Sequence, residues 1–468
     1  MKVSKNNNKY TFIKGSFFFS LPGIISALLA LVSIPIYLNQ ISNNLYSNFI
    51  LQHFFLTISI ILNFGLSKIT NIEIAKNQNE KILNNKIKLI IAISAIKSIT
   101  VSTLIYVIIK FFILIFEINS LYSLIDIQVL FGLIITNIYL TSDAILRGKL
   151  CYKLSALGNL IFYSFSISLP IFFCLLFEIN FNFLFNISLY IKLFGLIMIL
   201  FFLLKNINLF NKLKKDNFIK IYIKSYKWIS INLFFHQIYN YLDKYLVKIF
   251  FSNIFFVFYS VSQQIASKLT IPFNGVNHIF LTLNSKSKGS IYELINCIYL
   301  YIFLINISFY AILPLLDPAL KIWLKENYNQ YYLTLSLTFF LTGSIGSLSN
   351  LLLDFYDINN LSKKNFKIDS LILIPFLMMV IFAIYNNNIY LVALSILLKD
   401  VFLILIRLLP LNFSSKHKLF ITSQISILAL IVLFKILNLS YLYLMVMHIL
   451  IFLTYFRFKN LLIFIRKF

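Results

Sequence analysis

The chain has 468 residues, 60% of them hydrophobic and only 12% charged, with 41 Lys and Arg against 15 Asp and Glu for a net charge of +26. A mean hydropathy of +0.87 and repeated apolar runs of about 20 residues exclude a soluble enzyme and make the bilayer the relevant solvent. Runs of that length also exclude the short alternating strands of a membrane barrel, so backbone groups must be satisfied within helices.

The first fourteen residues, MKVSKNNNKYTFIK, are polar and basic and lead into an apolar run at 15–38 without a small-residue cleavage site, the pattern of an uncleaved signal anchor. Further spans are predicted at 48–67, 89–116, 126–146, 154–177, 184–204, 228–250, 256–281, 291–316, 331–353, 368–385, 389–409, 419–437 and 441–456. The expected class is an all-α polytopic membrane protein of about 14 transmembrane helices.

The connections test that count. The segments 1–14, 68–88, 147–153, 205–227, 282–290, 354–367, 410–418 and 457–468 hold thirty Lys and Arg, whereas the alternating loops hold only Lys321 and Lys325. One span too many or too few would reverse every later loop, so the positive-inside rule puts both termini in the cytoplasm. These basic clusters are short and suit anionic headgroups, which accounts for the net charge without nucleic acid.

Several chemistries lack their residues. Cys151, Cys174 and Cys297 are scattered and form no CxxC, which points to inert thiols. His53, His278 and His448 have no second ligand at metal spacing, and no GxxxxGK[ST] sequence occurs, so no metal or cofactor is expected. The first external loop, NQISNNLYS, has none of the carboxylates of a membrane glycosyltransferase. The loop DPALKIWLKENYNQ is small beside the basic loop of a lipid-linked sugar polymerase. Spans joined by short turns read as a conduit, not an enzyme.

Nine bases fall within spans: Lys97, Lys110, Lys192, Lys244, Lys248, Lys268, Lys399, Arg407 and Lys435. Each costs about 2.5–3.5 kcal/mol at the bilayer centre. Arg407 and Lys435 lie at span ends, with Lys192 and Lys248 within reach of an interface, so these four are expected to snorkel. Lys97, Lys110, Lys268 and Lys399 lie deeper and need partners or water.

In 228–250, Asn232, His236, Asn240, Lys244 and Lys248 recur at intervals of four and make one polar stripe on a helix. In 256–281, Ser260, Gln264 and Lys268 repeat the spacing, with Gln263 and Ser267 alongside. Matched stripes on successive spans fit a hydrated cavity; the same groups also fit hydrogen bonds between helices. Only Asp243 and Asp400 among the carboxylates sit well inside a span, and Asp143 can pair with Arg147 at i+4. A net-positive interior selects an anionic cargo. Asp243 fits two roles, neutralising a lysine on a neighbouring span or taking up a proton or sodium ion, and His236 fits a proton shuttle or a plain hydrogen-bonding residue. Pro22, Pro35, Pro170, Pro272, Pro314 and Pro375 bend or end spans, and Gly23, Gly132, Gly343 and Gly346 allow helices to approach closely.

Three stretches carry a family resemblance: SIPIYLNQISNNLYSNF (33–49), NFGLSKITNIEIAK (63–76) and the region 241–280 with its acid–base pair Asp243-Lys244 and helix entry Tyr259-Ser260. They resemble polysaccharide exporters and O-antigen flippases of the Wzx type, within the multidrug/oligosaccharidyl-lipid/polysaccharide superfamily. Departures include Asn39 and Gln40 where the family commonly has a base, and Ser47 and Ser252-Asn253 where it usually has glycine. A faint internal echo relates YLNQISNN (37–44) to YLVKIFFSN (245–253).

The resemblance implies a two-lobed transporter, with spans 1–6 in 1–210, spans 7–12 in 211–410, and two appended spans and a tail in 411–468. It implies translocation of an undecaprenyl-pyrophosphate-linked oligosaccharide, such as an O-antigen or lipopolysaccharide repeat unit, across the bacterial inner membrane by alternating access. The pyrophosphate would seek Lys244, Lys268, Lys97 and Lys248, and the sugars Asn240, Gln263 and Gln264. A polysaccharide polymerase and a chain-length regulator are the implied protein partners. The runner-up is a drug or small-cation exporter of the same fold, which would favour an acidic, aromatic cavity over this basic one.

Overall fold

The computed structural model describes residues 5–76, 80–115, 126–205, 227–271, 273, 277, 280, 291–359, 361–411 and 415–436. Span 441–456, most of the basic segments 205–227 and 282–290, all of 457–468, Pro272, His278, His448 and the side chain of Lys435 lie outside them.

Among the described residues every regular element is helical. The first part of the chain forms α1 (Lys5–Gln40), α2 (Asn43–Leu62), α3 (Leu66–Lys76), α4 (Glu80–Ile115) and α5 (Ile127–Gly148). A bent pair follows, α6 (Tyr152–Ser168) and α7 (Pro170–Leu176), which meet at 54°. Then come α8 (Leu184–Lys205), α9 (Lys227–Phe250), α10 (Asn253–Leu269), α11 (Ile291–Leu324), α12 (Gln330–Ile358), α13 (Ser362–Tyr385), α14 (Ile389–Leu408) and α15 (Ser415–Ile436). Eight of these are each long and apolar enough to cross a membrane, or nine if α6 and α7 form one span. The predicted spans from 15–38 to 419–437 coincide with helices, 256–281 in its first half.

The surface is inside-out relative to a soluble protein. On α13, Leu371, Ile374, Met378, Ile381 and Tyr385 are exposed at helical spacing, as are Tyr190, Phe194, Ile197 and Phe201 on α8. Water would penalise such continuous apolar stripes, whereas acyl chains accept them. This is a multi-pass membrane protein.

One expectation changes. The connection 68–88, predicted as a loop, is largely helix: α3 and the first turns of α4. The sequence LSKITNIEIAK buries Ile69, Ile72, Ile74 and Ala75, and Gly148 of α5 lies so close that a Cβ there would meet Ile74 at 2.8 Å. Apolar burial against α5 makes the segment part of the fold instead of a tether.

By packing, the described residues form two compact units, one within Phe17–Lys248 and one within Ile249–Phe468 together with Met1–Ser16. In the first, α5 is the central helix and α2, α3, α4 and α8 pack on it. Gly132 on α5 permits this, since a Cβ there would meet Leu56 at 2.4 Å and Leu189 at 2.9 Å. The core includes Ile69, Ile90, Tyr139, Phe162, Ile199 and Ile229. In the second, α12 is central, with α10, α11 and α14 against it. Most of α9 packs with the first unit, although repeat topology would begin the second half at 211.

Candidate functional site

The α2–α3 break is the first polar centre in the N-terminal unit. Phe64 and Gly65 both adopt left-handed backbone, with φ of 44° and 71°. A Cβ on Gly65 would come within 3.2 Å of Ser230 Cα on α9, so this turn is crowded as well as left-handed. Asn63 donates through Nδ2 to Asn137 Oδ1 at 2.8 Å and Thr141 Oγ1 at 3.1 Å, and its Oδ1 accepts from the Ser67 N–H at 2.6 Å. Lys97 on α4 donates to the Asn63 carbonyl, and its ammonium lies 5.0 Å from the centre of the Phe64 ring. That carbonyl belongs to the C-terminal end of α2, where carbonyls lack helical partners and the dipole is negative. Lys97 thus stabilises a helix end from a half-buried position.

The α9 stripe is the second centre. His236 Nε2 and Asn240 Nδ2 are 3.0 Å apart, and Lys244 donates to the Asn240 carbonyl at 2.9 Å. The Lys244 ammonium lies 4.1 Å from the Tyr241 ring centre and 4.9 Å from that of Phe54 on α2. One turn on, Lys248 donates to Ser47 Oγ at 2.8 Å and lies 3.5 Å from Asn48 Oδ1. Tyr245 closes the α2–α9 seam by donating to the Phe54 carbonyl at 3.0 Å. The structure therefore brings His236, Asn240, Lys244 and Lys248 together along one seam, with Asp243 buried on the same helix. Lys248 does not simply snorkel: it reaches a buried hydroxyl on α2. The hydroxyl belongs to Ser47, which is fully buried.

Lys268, Gln263 and Gln264 are half-buried on α10, in the C-terminal unit. The hydroxyl of the neighbouring Ser267 turns back to the Gln264 carbonyl at 2.7 Å.

Two residues expected to snorkel are buried instead. Arg407 on α14 is 1% exposed; its Nη2 lies 2.7 Å from Asp369 Oδ1, and its Nη1 donates to the Ser349 carbonyl at 2.9 Å and to the Ser349 hydroxyl. Asp369 is equally buried and also accepts from Asn365 Nδ2 at 2.8 Å, so it joins Asp243 and Asp400 as an interior carboxylate. Lys192 on α8 is also buried; it donates to the Phe162 carbonyl at 3.1 Å and sits 4.4 Å from the Phe162 ring centre. A carboxylate in one case, and a carbonyl with aromatic faces in the other, satisfies the charge in place. The expected partner for Lys399 is present as Asp400 at 3.0 Å, and the expected Asp143–Arg147 pair forms at 3.0 Å.

The interior bases thus divide by acceptor. Arg147, Lys399 and Arg407 meet carboxylates. Lys97, Lys192, Lys244 and Lys248 donate to neutral oxygens. A phosphate oxygen that replaced a neutral acceptor would make the hydrogen bond charge-assisted and about twice as strong. Such a site can hold an anion; among the described residues no group of His, Cys, Asp and Glu could hold a metal. Sequence reasoning missed Ser47, Asn48, Phe54, Asn63 and Tyr241 as partners of these lysines. Their polarity was visible, but pairing across up to 201 residues was not.

No family model matches the chain, and no curated protein matches it. Solved structures do. The chain is similar to a MATE transporter crystallised in complex, with 13% identity and a TM-score of 0.63 over 90% of this chain and 97% of that one. It is similar to the Vibrio cholerae MATE transporter VcmN in its bent form, with 10% identity and a TM-score of 0.63 over 91% and 100% of the two chains. It is also similar to the lipid II flippase MurJ in an inward closed conformation, with 13% identity and a TM-score of 0.60 over 96% and 99%. At these identities the likeness is one of fold, and the proteins that share it are transporters and a flippase, not enzymes.

Proposed function

We propose that this protein is a flippase that carries an undecaprenyl-pyrophosphate-linked oligosaccharide, a surface-polysaccharide repeat unit, from the cytoplasmic to the external leaflet of a bacterial inner membrane. The observation that carries this proposal is the set of interior lysines on neutral acceptors, above all Lys244 and Lys248 on the α2–α9 seam. A diphosphate is the part of such a lipid that needs desolvated cations, and these ammonium groups already donate to neutral oxygens that an anionic oxygen would outcompete. The fold shared with a lipid II flippase supports the same class of cargo. Lys97 in the first unit and Lys268 in the second are the further cationic candidates, Asn240 in the first and Gln263 and Gln264 in the second are the amide candidates for the sugars, and the polyprenyl tail stays in lipid. Asp243 and His236 remain the ion-coupling candidates on α9. Lobes 1–210 and 211–410 would alternate access about the cargo, with 411–468 appended and both termini cytoplasmic. Polymerase and chain-length regulator would act on the product outside.

Export of a drug of lower charge by the same fold is the competing function, and the MATE neighbours share that architecture. Purified protein in proteoliposomes with radiolabelled lipid-linked oligosaccharide separates the two. Flipping of labelled cargo, without hydrolysis or elongation, and its loss in Lys244→Gln/Lys248→Gln is the expected result. Undiminished flipping by that double variant, or export of a cationic dye with no flipping, would overturn the proposal.

A further inference from the structure

Span 154–177 is not a simple helix. Between Tyr152–Asn159 and Ser166–Ser168 its backbone forms a π-helical segment, Leu160–Phe165, and the chain then bends by 54° into α7 at Pro170. π-bulges concentrate at functional sites because they cost helix energy and leave carbonyls open to other donors. Here side-chain hydrogen bonds run both to carbonyls of this stretch and from it to a neighbouring helix. Lys192 Nζ donates to the Phe162 carbonyl at 3.1 Å, a carbonyl that also accepts from Ser166 Oγ at 2.6 Å. Tyr37 on α1 donates to the Ile167 carbonyl at 2.9 Å, and Ser164 donates to the Pro22 carbonyl at 3.1 Å. The broken span is thus tied to α1 and α8 just before its bend.

Among these ties only Lys192 can carry a charge at neutral pH. It is 4% exposed, and among the described residues no carboxylate lies within ion-pairing distance of it. The Phe162 carbonyl and the faces of Phe162 and Tyr163, at 4.4 and 5.5 Å, stand in for its lost water. One turn earlier on α8, Ser188 Oγ lies 3.1 Å from His53 Nε2 on α2, and His53 packs edge-on against Phe49 and Phe185. Among the described residues, Tyr163 on α6 faces the ammonium directly, Tyr139 on α5 packs on Phe162 and Tyr163, and Tyr241 on α9 and the Asp143–Arg147 pair on α5 act on Tyr163 from farther off. An ammonium here is stable only while its carbonyl and rings surround it, so protonation and the grip on the π segment are one event.

We propose that Lys192 is a proton-binding latch on the broken span, and so a site, beside Asp243 and His236, at which a proton couples to the conformational cycle. With the proton on Nζ, the ammonium grips the Phe162 carbonyl and holds the bend. When the N–H bond breaks, the electron pair stays on Nζ, the proton leaves to solvent, and the amine releases the π segment. The coupling role rests on the transporter function proposed above; the latch itself does not.

Hydrogen–deuterium exchange of amides 160–168 in lipid nanodiscs, corrected for intrinsic exchange, tests the latch without any cargo. For the wild type, protection is expected to fall about tenfold or more as pH rises from about 6 to about 10. Lys192→Arg, which keeps its charge, should stay protected throughout, and Lys192→Met should be unprotected throughout while remaining monodisperse. A wild-type profile that does not change with pH, or a Lys192→Met profile that follows the wild type, overturns the latch. If Lys192→Arg does not fold, Lys192→Gln replaces it and should match Lys192→Met. In proteoliposomes, an imposed pH gradient should speed flipping by wild type and leave Lys192→Met unaffected; equal acceleration of both removes the coupling role. A latch that responds to pH in a protein that moves no labelled oligosaccharide refutes the cargo assignment alone.

Discussion

Replacing Arg407 by methionine removes a guanidinium that reaches three groups on two residues: Asp369 at 2.7 Å, the Ser349 carbonyl at 2.9 Å, and the Ser349 hydroxyl. Ser349, Asp369 and Arg407 lie on α12, α13 and α14, so the substitution unties three helices. Both members of the ion pair are about 1% exposed, and the Asp369 carboxylate would stay buried opposite a thioether. Breaking a buried pair from one side costs about 3–5 kcal/mol. At roughly 2–4 °C per kcal/mol for a unit of 150–250 residues, the midpoint of thermal unfolding should fall by roughly 6–20 °C. Asp369→Asn should lower it by a similar amount, while Arg407→Met/Asp369→Leu should recover most of the loss, because no buried charge is left uncompensated. Detergent-solubilised protein followed by fluorescence-detected size exclusion after heating gives these midpoints. A residue that merely snorkels predicts almost no change. An Arg407→Met midpoint within about 2 °C of wild type, or single effects that simply add in the double variant, would refute the buried triad.

Gly65→Ala places a Cβ within 3.2 Å of the Ser230 backbone at a φ of 71°, and should cost about 1–2 kcal/mol, read as a lower unfolding midpoint with normal insertion. Gly158→Leu drives a side chain into Ile199, whose Cδ1 lies 2.3 Å from the Cβ position, and should lower stability by about 1–3 kcal/mol; Gly158→Leu/Ile199→Ala should regain part of it. Ser47→Gly deletes the acceptor of Lys248 at 2.8 Å and should cost about 1 kcal/mol or less in stability, with flipping retained. Lys268→Ala should insert normally and cripple export; normal surface glycan in that variant would remove Lys268 from the cargo path.

Hydropathy and charge were enough to assign the helical membrane class and where most of its helices lie, because insertion energy adds up residue by residue along the chain. The four-residue spacing of His236, Asn240, Lys244 and Lys248 was likewise legible, since a helix repeats every 3.6 residues. The expected excess of interior bases was not, since among the described residues Glu73, Asp143, Asp354, Asp357 and Asp369 are buried as well as Asp243 and Asp400. Nor was the destination of each charge. Lys248 finds Ser47 across 201 residues, Arg407 finds Asp369 across 38, and Lys192 finds a carbonyl 30 residues away that a π segment opens. The helix inside 68–88 was hidden for the same reason: its apolar face becomes meaningful only once α5 lies against it. In a membrane, cost is local and relief is long-range. The amino-acid order therefore announces which groups need a partner, and only the packed helices decide which partner each one gets.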